Sequence, residues 1–439
     1  MTIQFNRGLV LAKTEAVFNM AETLDPATDA FEIINPEFAP DITSQRREVV
    51  ANDISPFESL VTRKVGGMTF SLEVKSNGNT GATVAPRVGR LLEACGFSET
   101  QIDTAVENVY RTVPAVANTG RMNFIGTTTP YTGGVYLKVK CTITTGGATG
   151  VAVASFEAPS EATVSTGGLG AVSLTDTDEV ILTDSTEITL TDNAGNTIAA
   201  ITPDFQGDNP ATGDVYWIHL RPIGYLYKPK SDNIDSVTID MQYPDDSGQS
   251  IQHRLIGARG TVVVNAQVGQ FPTFDFTFTG TYVDQVDAAT LTGTYEDTDP
   301  VQVQYAALAV AQRYGAKQSN LCASTWSVDM ANEISIRDCI NAQSATEGAF
   351  LTARAPTISY DPEAILAAVE PIWSYLENGT SVEWWVRHGT VNGNIVLFHA
   401  PNQQITGMSY ADRNSIRVFN IDGSLARLNG NDELEILFT

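Results

Sequence analysis

The first residues to consider for chemistry are the four histidines, because an imidazole can act as a general base or as a metal ligand. They stand at His219, His253, His388 and His399, far apart in the sequence and without the close-spaced partners of a zinc site. Isolated histidines of this kind are usually buried and hydrogen-bonded, or exposed. They therefore predict neither a catalytic base nor a metal centre.

A serine nucleophile is the next possibility. The segment from Gly407 through Ser409 to Ala411 loosely resembles the nucleophile elbow of hydrolases, but it lacks the second glycine, so we expect a plain turn. The sequence contains no GxxxxGK[ST] loop, no HExxH motif and no strand-flanked GxGxxG, which removes the common nucleotide-binding and zinc-hydrolase signatures. We expect a protein that is not an enzyme and has no cofactor.

Acidic residues leave one metal and one catalytic alternative open. Asp176, Asp178, Glu179 and Asp184 could supply oxygen ligands for calcium, but their spacing is not that of an EF-hand loop. A solvated acidic surface is the expected interpretation. Aspartate and glutamate pairs are too numerous to nominate the two carboxylates of a glycoside hydrolase.

Length and charge set the broad class. The chain has 439 residues, 26 Lys and Arg against 51 Asp and Glu, and a net charge of -25, which opposes a broad nucleic-acid footprint. No apolar run approaches a membrane span, and residues 1–7 lack the layout of a signal peptide, so we expect a soluble chain that keeps Met1. The four cysteines have no CxxC spacing and are expected to be buried apolar residues: Cys95, Cys141, Cys322 and Cys339.

The elements that would position any site are mostly strands. Short alternating runs rich in Thr, Val and Ile, broken by Gly, Asn and Asp, predict a mainly β protein with a few short helices, in the α+β class. One helix is predicted at residues 85–96, ending before Gly96. Another is predicted from an N-cap at Asp361 to residue 378, with a kink or break at Pro371.

The surroundings of the two helices indicate an internal repeat. Each helix follows an alternating strand and is followed by a β region that closes with two adjacent strands. We predict a discontinuous first domain at 1–125 and 225–295 and a second domain at 296–439. Residues 126–224 are predicted to be an inserted β-sandwich-like domain, because from Cys141 to Leu220 the chain has no Lys or Arg and alternates short strands with turns.

Three segments resemble the tail tube, or major tail, proteins of long-tailed bacteriophages. They are Arg254-Leu-Ile-Gly-Ala-Arg-Gly-Thr-Val-Val-Val264 with Phe271–Tyr282, Gly81–Phe97, and Met408–Arg417 with Asn431–Phe438. Asn332–Cys339 is similar to the opening of the family's second copy. The resemblance covers about 1–125 and 225–439 but not the insertion.

The resemblance implies that each copy is one tail-tube domain and that three chains close a pseudo-hexameric ring, which stacks into the tube of a virion tail after assembly in the host cytoplasm. Implied partners are other copies of the chain, the tape measure, terminator and distal tail proteins, and duplex DNA in transit. Polar residues that alternate with apolar ones are then candidates for the lumen wall: Thr69, Ser71, Glu73, Asp275, Thr277, Thr279, Glu433 and Glu435.

The resemblance also implies a loop that reaches the next ring. Residues 31–63 are long and polar, and we expect them to be poorly ordered until rings stack, with these inter-ring candidates: Asn35, Pro36, Pro40, Arg46 and Arg47. The insertion would project outward. Two alternatives remain: a distal-tail or baseplate ring protein of the same fold, and, from a different class, an acidic β-rich glycan-binding protein or hydrolase.

Overall fold

The computed structural model describes residues 7–50, 52, 55–79, 83–104, 109–114, 118, 120–131, 137–157, 177–191, 196–303, 307–312, 318–342, 345–368, 370–389, 391 and 393–439. Strands account for 56% of the structure and helices for 4%, with two helices among the described residues. The expected mainly β fold with a few short helices is confirmed.

Strands and helices follow one another as an interrupted first copy, an insertion and a second copy. The first copy starts with β1 (Leu9–Thr14), β2 (Ala30–Phe31), β3 (Ile34–Arg46), β4 (Ser59–Glu73), α1 (Gly89–Ala94) and β5 (Phe97–Ile102). The insertion holds β6 (Val109–Pro114), β7 (Asn123–Gly126), β8 (Leu137–Thr145), β9 (Val153–Glu157), β10 (Thr177–Ile181), β11 (Ile188–Thr191), β12 (Thr197–Asp204) and β13 (Val215–Leu220).

The first copy then resumes and the second follows. The resumed part holds β14 (Gly224–Pro229), β15 (Val237–Pro244), β16 (Gln249–Gln267) and β17 (Thr273–Ala289). The second copy holds β18 (Ala307–Gln312), β19 (Gln318–Asn320), β20 (Ala323–Asp329), β21 (Asn332–Asp338), β22 (Thr346–Arg354), β23 (Thr357–Pro362), α2 (Ile372–Asn378), β24 (Ser381–His388), β25 (Val396–Arg413), β26 (Ile416–Leu425) and β27 (Glu435–Phe438).

Strand pairing repeats between the two copies. The first copy has the antiparallel order β2-β1-β15-β16-β17-β4-β3. The second has the order β19-β18-β24-β25-β26-β23-β20, with each strand in the position of its counterpart. In each copy a helix follows the strand in the sixth place, β4 or β23, as the sequence pattern indicated.

The two copies are joined into one sheet and one core. The second half of β16 pairs antiparallel with β20, from Val263 opposite Asp329 to Gln267 opposite Thr325. This joint places eight strands in a row within the described part of the chain: β3-β4-β17-β16-β20-β23-β26-β25. A single buried apolar cluster contains side chains from both copies. Burial of that cluster holds the two copies as one body.

The insertion has a core of its own. Its strands form the sheets β10-β9-β8-β13-β6 and β11-β12-β7 among the described residues, and both contribute to a separate apolar cluster from Val109 to Leu220. This arrangement of two sheets around one core is the sandwich organisation that the composition indicated. Strands β6 and β7 belong to it, so the insertion begins near residue 109 rather than at 126.

Both helices are shorter than the sequence predicts. The first is followed by Gly96, which has φ +87° as expected for a helix-ending glycine. The second starts after Pro371 and ends at Gly379, with φ +61°. The prediction that it starts at Asp361 is wrong, because Asp361 lies in β23 and accepts hydrogen bonds from the backbone of Ser324 and Thr325. Proline at 371 disfavours a helical residue before it, which prevents the helix from extending backwards.

Candidate functional site

Strands β4 and β17 give the central sheet two faces of opposite character. Their register puts Thr69 opposite Thr277 and Ser71 opposite Asp275 on one face. Successive side chains of a strand point to opposite faces, so the residues between them point into the core. Those core residues are fully or almost fully buried: Met68, Phe70, Leu72, Phe274, Phe276 and Phe278.

The polar side of this sheet continues across the joint into the second copy. Asn265 of β16 donates to Asp275 at 2.6 Å, and the hydroxyls of Ser327 and Ser359 lie 2.9 Å apart on β20 and β23. We call this surface the polar face. Its members are half-buried or exposed: Glu37, Thr69, Ser71, Glu73, Thr261, Asn265, Thr273, Asp275, Thr277, Thr279, Ser327, Asp329, Thr357, Ser359, Asn420, Asp422 and Ser424.

The polar face carries negative charge and hydroxyl groups. Its charged members are all acidic. Arg259 pairs with Thr279 on the same face, but it is only 8% exposed and its guanidinium donates to the backbone carbonyls of Ile234 and Ala349. Burial raises the pKa of Glu73, and Lys75 partly opposes that shift. Lys75 itself forms an ion pair with Glu32 at 2.6 Å. Such a surface repels an anionic polymer and offers it no exposed cation to bind.

Six of the eight predicted lumen residues lie together on the polar face: Thr69, Ser71, Glu73, Asp275, Thr277 and Thr279. The prediction for Glu433 and Glu435 is wrong. Glu433 lies just before β27 and pairs with Arg354, while β27 lies between β14 and β25, so that Glu435 is only 4% exposed. Alternation along the sequence does not separate a strand with one buried face from a strand with two.

Glu435 instead belongs to a buried ionic cluster. The two ring nitrogens of His399 lie 3.0 Å from Glu435 and 3.1 Å from Glu383. An ionised carboxylate only accepts hydrogen bonds, so the ring that satisfies both carboxylates is the imidazolium. Burial lowers the pKa of His399, but the hydrogen bonds to both glutamates outweigh burial and raise it overall. Burial raises the pKa of Glu435, but the hydrogen bond from His399 and the charge of Arg221 outweigh burial and lower that pKa to about 2.

The same cluster connects the insertion to the second copy. Lys138 of β8 lies 3.2 Å from Glu383 of β24, and His219 of β13 lies 3.5 Å from the same carboxylate. Next to β13, Arg221 lies 3.6 Å from Glu435. No local sequence pattern indicates this arrangement, because two residues that contact each other in it, Lys138 and Glu383, are 245 positions apart. Its close pairing of opposite charges indicates a structural contact.

The predicted inter-ring loop is a long hairpin in the structure, so the expectation of an unstructured loop is wrong. Strand β3 pairs with β4 from Ile34 opposite Ser71 to Arg46 opposite Ser59. Four of the inter-ring candidates lie on β3 and Arg47 follows it directly: Asn35, Pro36, Pro40, Arg46 and Arg47. Beyond the polar face this hairpin is mostly exposed, and Arg47 lies 5.7 Å from the ring of Phe57. We call the paired residues 41–46 and 59–64, with the connection between them, the arm.

The other chemical candidates do not assemble into a reaction centre in the described part of the chain. Ser409 lies within β25 rather than in the expected turn. Asp176 lies outside the described residues, and among those described no three acidic, histidine or cysteine side chains are grouped to hold a metal ion. Burial lowers the pKa of His388 to about 4. No helix of the described chain is long and apolar enough to cross a membrane.

In comparisons with known proteins, no protein-family model matches the chain and no curated protein matches it in sequence.

Proposed function

We propose that this chain is the structural subunit of a phage tail tube, in which three copies close into a ring and rings stack around a lumen lined by the polar face. One observation carries the proposal: two copies of the same seven-strand order are joined edge to edge, with one continuous polar face across the joint. A fold that already pairs two of its units along their edges has the geometry needed to pair with further units. Closed rings of identical chains are the usual result of such contacts.

The size of the resulting ring suits duplex DNA. Three chains with the eight strands of this row give 24 strands, which at about 4.8 Å each form a barrel at least about 37 Å across. Strand tilt widens it further. A duplex about 20 Å across has room to pass with its hydration layer.

The charge of the polar face suits transport rather than binding. DNA affinity depends mainly on Lys and Arg that neutralise phosphates, and the polar face exposes neither, since Arg259 is buried. Carboxylates such as Asp275 and Asp422 repel phosphate, and the hydroxyls around them stay hydrated. DNA would therefore slide through the lumen during ejection without being held.

The position of the ionic cluster supports an outward insertion. The insertion contacts Glu383 on β24 and, through Arg221, Glu435 on β27. Neither β24 nor β27 belongs to the eight-stranded row that carries the polar face. The insertion would then decorate the outside of a virion tail, whose other components, the tape measure, terminator and distal tail proteins, meet the tube in its lumen or at its ends.

Electron microscopy of the purified chain tests the proposal. After some days at high concentration, negative-stain images should show hollow tubes of stacked rings with threefold or pseudo-sixfold symmetry. Single closed rings that never stack would favour a distal-tail or baseplate ring protein. A chain that remains monomeric at every concentration, or a monomer that binds a polysaccharide saturably, would contradict the proposal and favour the glycan-binding alternative.

A further inference from the structure

Two strands at the ends of the eight-stranded row have one edge without a pairing strand among the described residues. Among the described strands, β3 pairs only with β4. Strand β25 pairs with β24 and β27 in its first half, but beyond residue 404 its only described partner is β26. Each of these open edges has a paired counterpart inside the chain. Strand β16 is the counterpart of β25, β20 is the counterpart of β3, and β16 and β20 pair with each other.

Two bulges fix the correspondence residue by residue. The first pair after the second bulge in β16 is Arg259 with Thr279. The first pair after the bulge in β25 is Gly407 with Asp422. From that first pair to the turn of the hairpin, each of the two strands forms seven residue pairs. Residues of β16 therefore correspond to residues of β25 with numbers about 148 higher, which makes Val262 the counterpart of Tyr410.

The opposite edge is aligned in the same way. Phe38 pairs with Met68 on β4, and Trp326 pairs with Tyr360 on β23. Met68 and Tyr360 are themselves counterparts, because they pair with Phe278 and Ile421 at equivalent places on β17 and β26. Phe38 therefore corresponds to Trp326. Four residues further along each strand, Ile42 corresponds to Met330.

Burial distinguishes the paired edges from the unpaired ones. Inside the chain, the backbone N–H of Met330 donates to the carbonyl of Val262 at 3.1 Å, and the two side chains are 1% and 0% exposed. Their counterparts Ile42 and Tyr410 are 45% and 53% exposed. The internal joint thus shows what covers these two apolar side chains when their edges are paired.

From this correspondence we infer that β25 of one subunit pairs antiparallel with β3 of a second copy, with Tyr410 opposite Ile42 and Ser409 opposite Thr43. The occupant of each open edge is the other open edge of an identical chain. This inference rests on the proposed function, since it describes how the ring closes. Edge strands are open templates for pairing. In this register Pro40, the counterpart of Val328, lies opposite Asp412 and, because it has no backbone N–H, leaves one hydrogen bond of the ladder unmade.

Engineered disulfides test the register. In a background carrying Cys322→Ser and Cys339→Ser, the pair Ser409→Cys with Thr43→Cys should crosslink under oxidation. This pair would lie next to Tyr410–Ile42, whose internal counterpart Val262–Met330 is hydrogen-bonded, and the pair next to a hydrogen-bonded pair is a close one with Cα atoms about 4.5 Å apart. Ser409→Cys with Asp41→Cys is the matched control, since diagonal neighbours are about 7–8 Å apart. Val263→Cys with Asp329→Cys should crosslink within one chain and reports that the fold is intact.

The possible crosslinking results lead to different conclusions. Rings or tubes in which the 409–43 pair crosslinks into covalent trimers, while the 409–41 pair does not, support the inference. Rings or tubes without the 409–43 crosslink, in protein whose internal pair does crosslink, overturn the inference and leave the tail-tube function standing. Wild-type protein that forms neither rings nor tubes overturns the proposed function and the inference together.

A substitution at the joint gives an independent measurement. Ile42→Asp would place a charge against Tyr410 of the neighbour and should raise the protein concentration needed for assembly at least about tenfold. Val151→Asp, at an exposed position of the insertion, is the control and should leave that concentration unchanged. An unchanged assembly concentration for Ile42→Asp would refute the pairing of these two residues.

Discussion

The buried imidazolium of His399 offers the sharpest test of how the insertion and the second copy are held together. His399→Gln removes the cation that lies between Glu383 and Glu435 and leaves both carboxylates in a site where the removed side chain is only 2% exposed. Removing one partner of a buried ion pair costs about 3–5 kcal/mol when the remaining charge is uncompensated. Lys138 still faces Glu383 and Arg221 still faces Glu435 in this variant, so we expect a cost at the lower end, about 3 kcal/mol. For a chain of this size, a loss of about 3 kcal/mol corresponds to a melting temperature lower by about 3 °C.

The dependence on pH identifies the charged state. The pKa of His399 is raised in the folded chain, so its contribution to stability is complete below the unfolded value of about 6.5 and is lost as pH rises through the raised folded pKa. The pKa of Glu435 is lowered to about 2, so its contribution is present above about 4.5 and is lost as pH falls towards 2. The difference between wild type and His399→Gln should therefore be largest between about pH 4.5 and 6.5.

Differential scanning calorimetry from about pH 5 to about pH 9 measures the melting-temperature difference between the two proteins and its decrease as His399 loses its proton. The matched control is His253→Gln, because His253 is half-buried and stacks on Phe38 at 4.3 Å; the loss of that contact should lower the melting temperature by about 1–2 °C. A shift for His399→Gln no larger than that of the control would refute the charged cluster. A difference from wild type that grows with rising pH would refute the imidazolium.

Two further variants test the role of the arm in ring stacking and the role of the polar face as the lumen wall. Replacing residues 47–58 by Asn-Gly, which keeps Arg46 opposite Ser59, should leave rings that no longer stack in electron micrographs, whereas normal tubes would exclude this connection at the end of the arm from ring stacking. Thr277→Lys with Asn420→Lys should make assembled tubes retain duplex DNA in a salt-sensitive way, while lysine at exposed Ile125 of the insertion should not; equal retention would place the polar face outside the lumen.

Sequence patterns were sufficient where a strand has one polar and one buried face. The alternation of Phe274, Phe276 and Phe278 with polar residues predicts the core side of β17 correctly, and the same reasoning holds for β4. It fails at Glu435, because β27 is buried on both faces and a histidine from another strand compensates the charge. The burial of Glu435 is explained by its contact with His399, which lies 36 residues away in the sequence.

Long-range pairing accounts for the remaining errors. The polar run around Pro36 and Pro40 reads locally as a loop, yet β4 pairs along its whole length and makes it a strand. The start of the insertion differs from the predicted residue 126 for the same reason, because β6 pairs with β13 of the insertion and not with a strand of the first copy. Individual segments do not specify which strand they will lie beside, and that choice depends on burial summed over the whole sheet.

The covalent joint between the copies also changes the thermodynamics of ring closure. Six separate domains would lose the translational and rotational freedom of five bodies on forming a ring, whereas three fused chains lose that of two, and each loss costs about 4–15 kcal/mol. In such a ring every second edge contact, the one between β16 and β20, forms during folding and does not depend on protein concentration. In the proposed ring, fusion would favour complete rings over partial arcs. It would also place an insertion on alternate domains only, so the outer surface of the tube would have threefold symmetry.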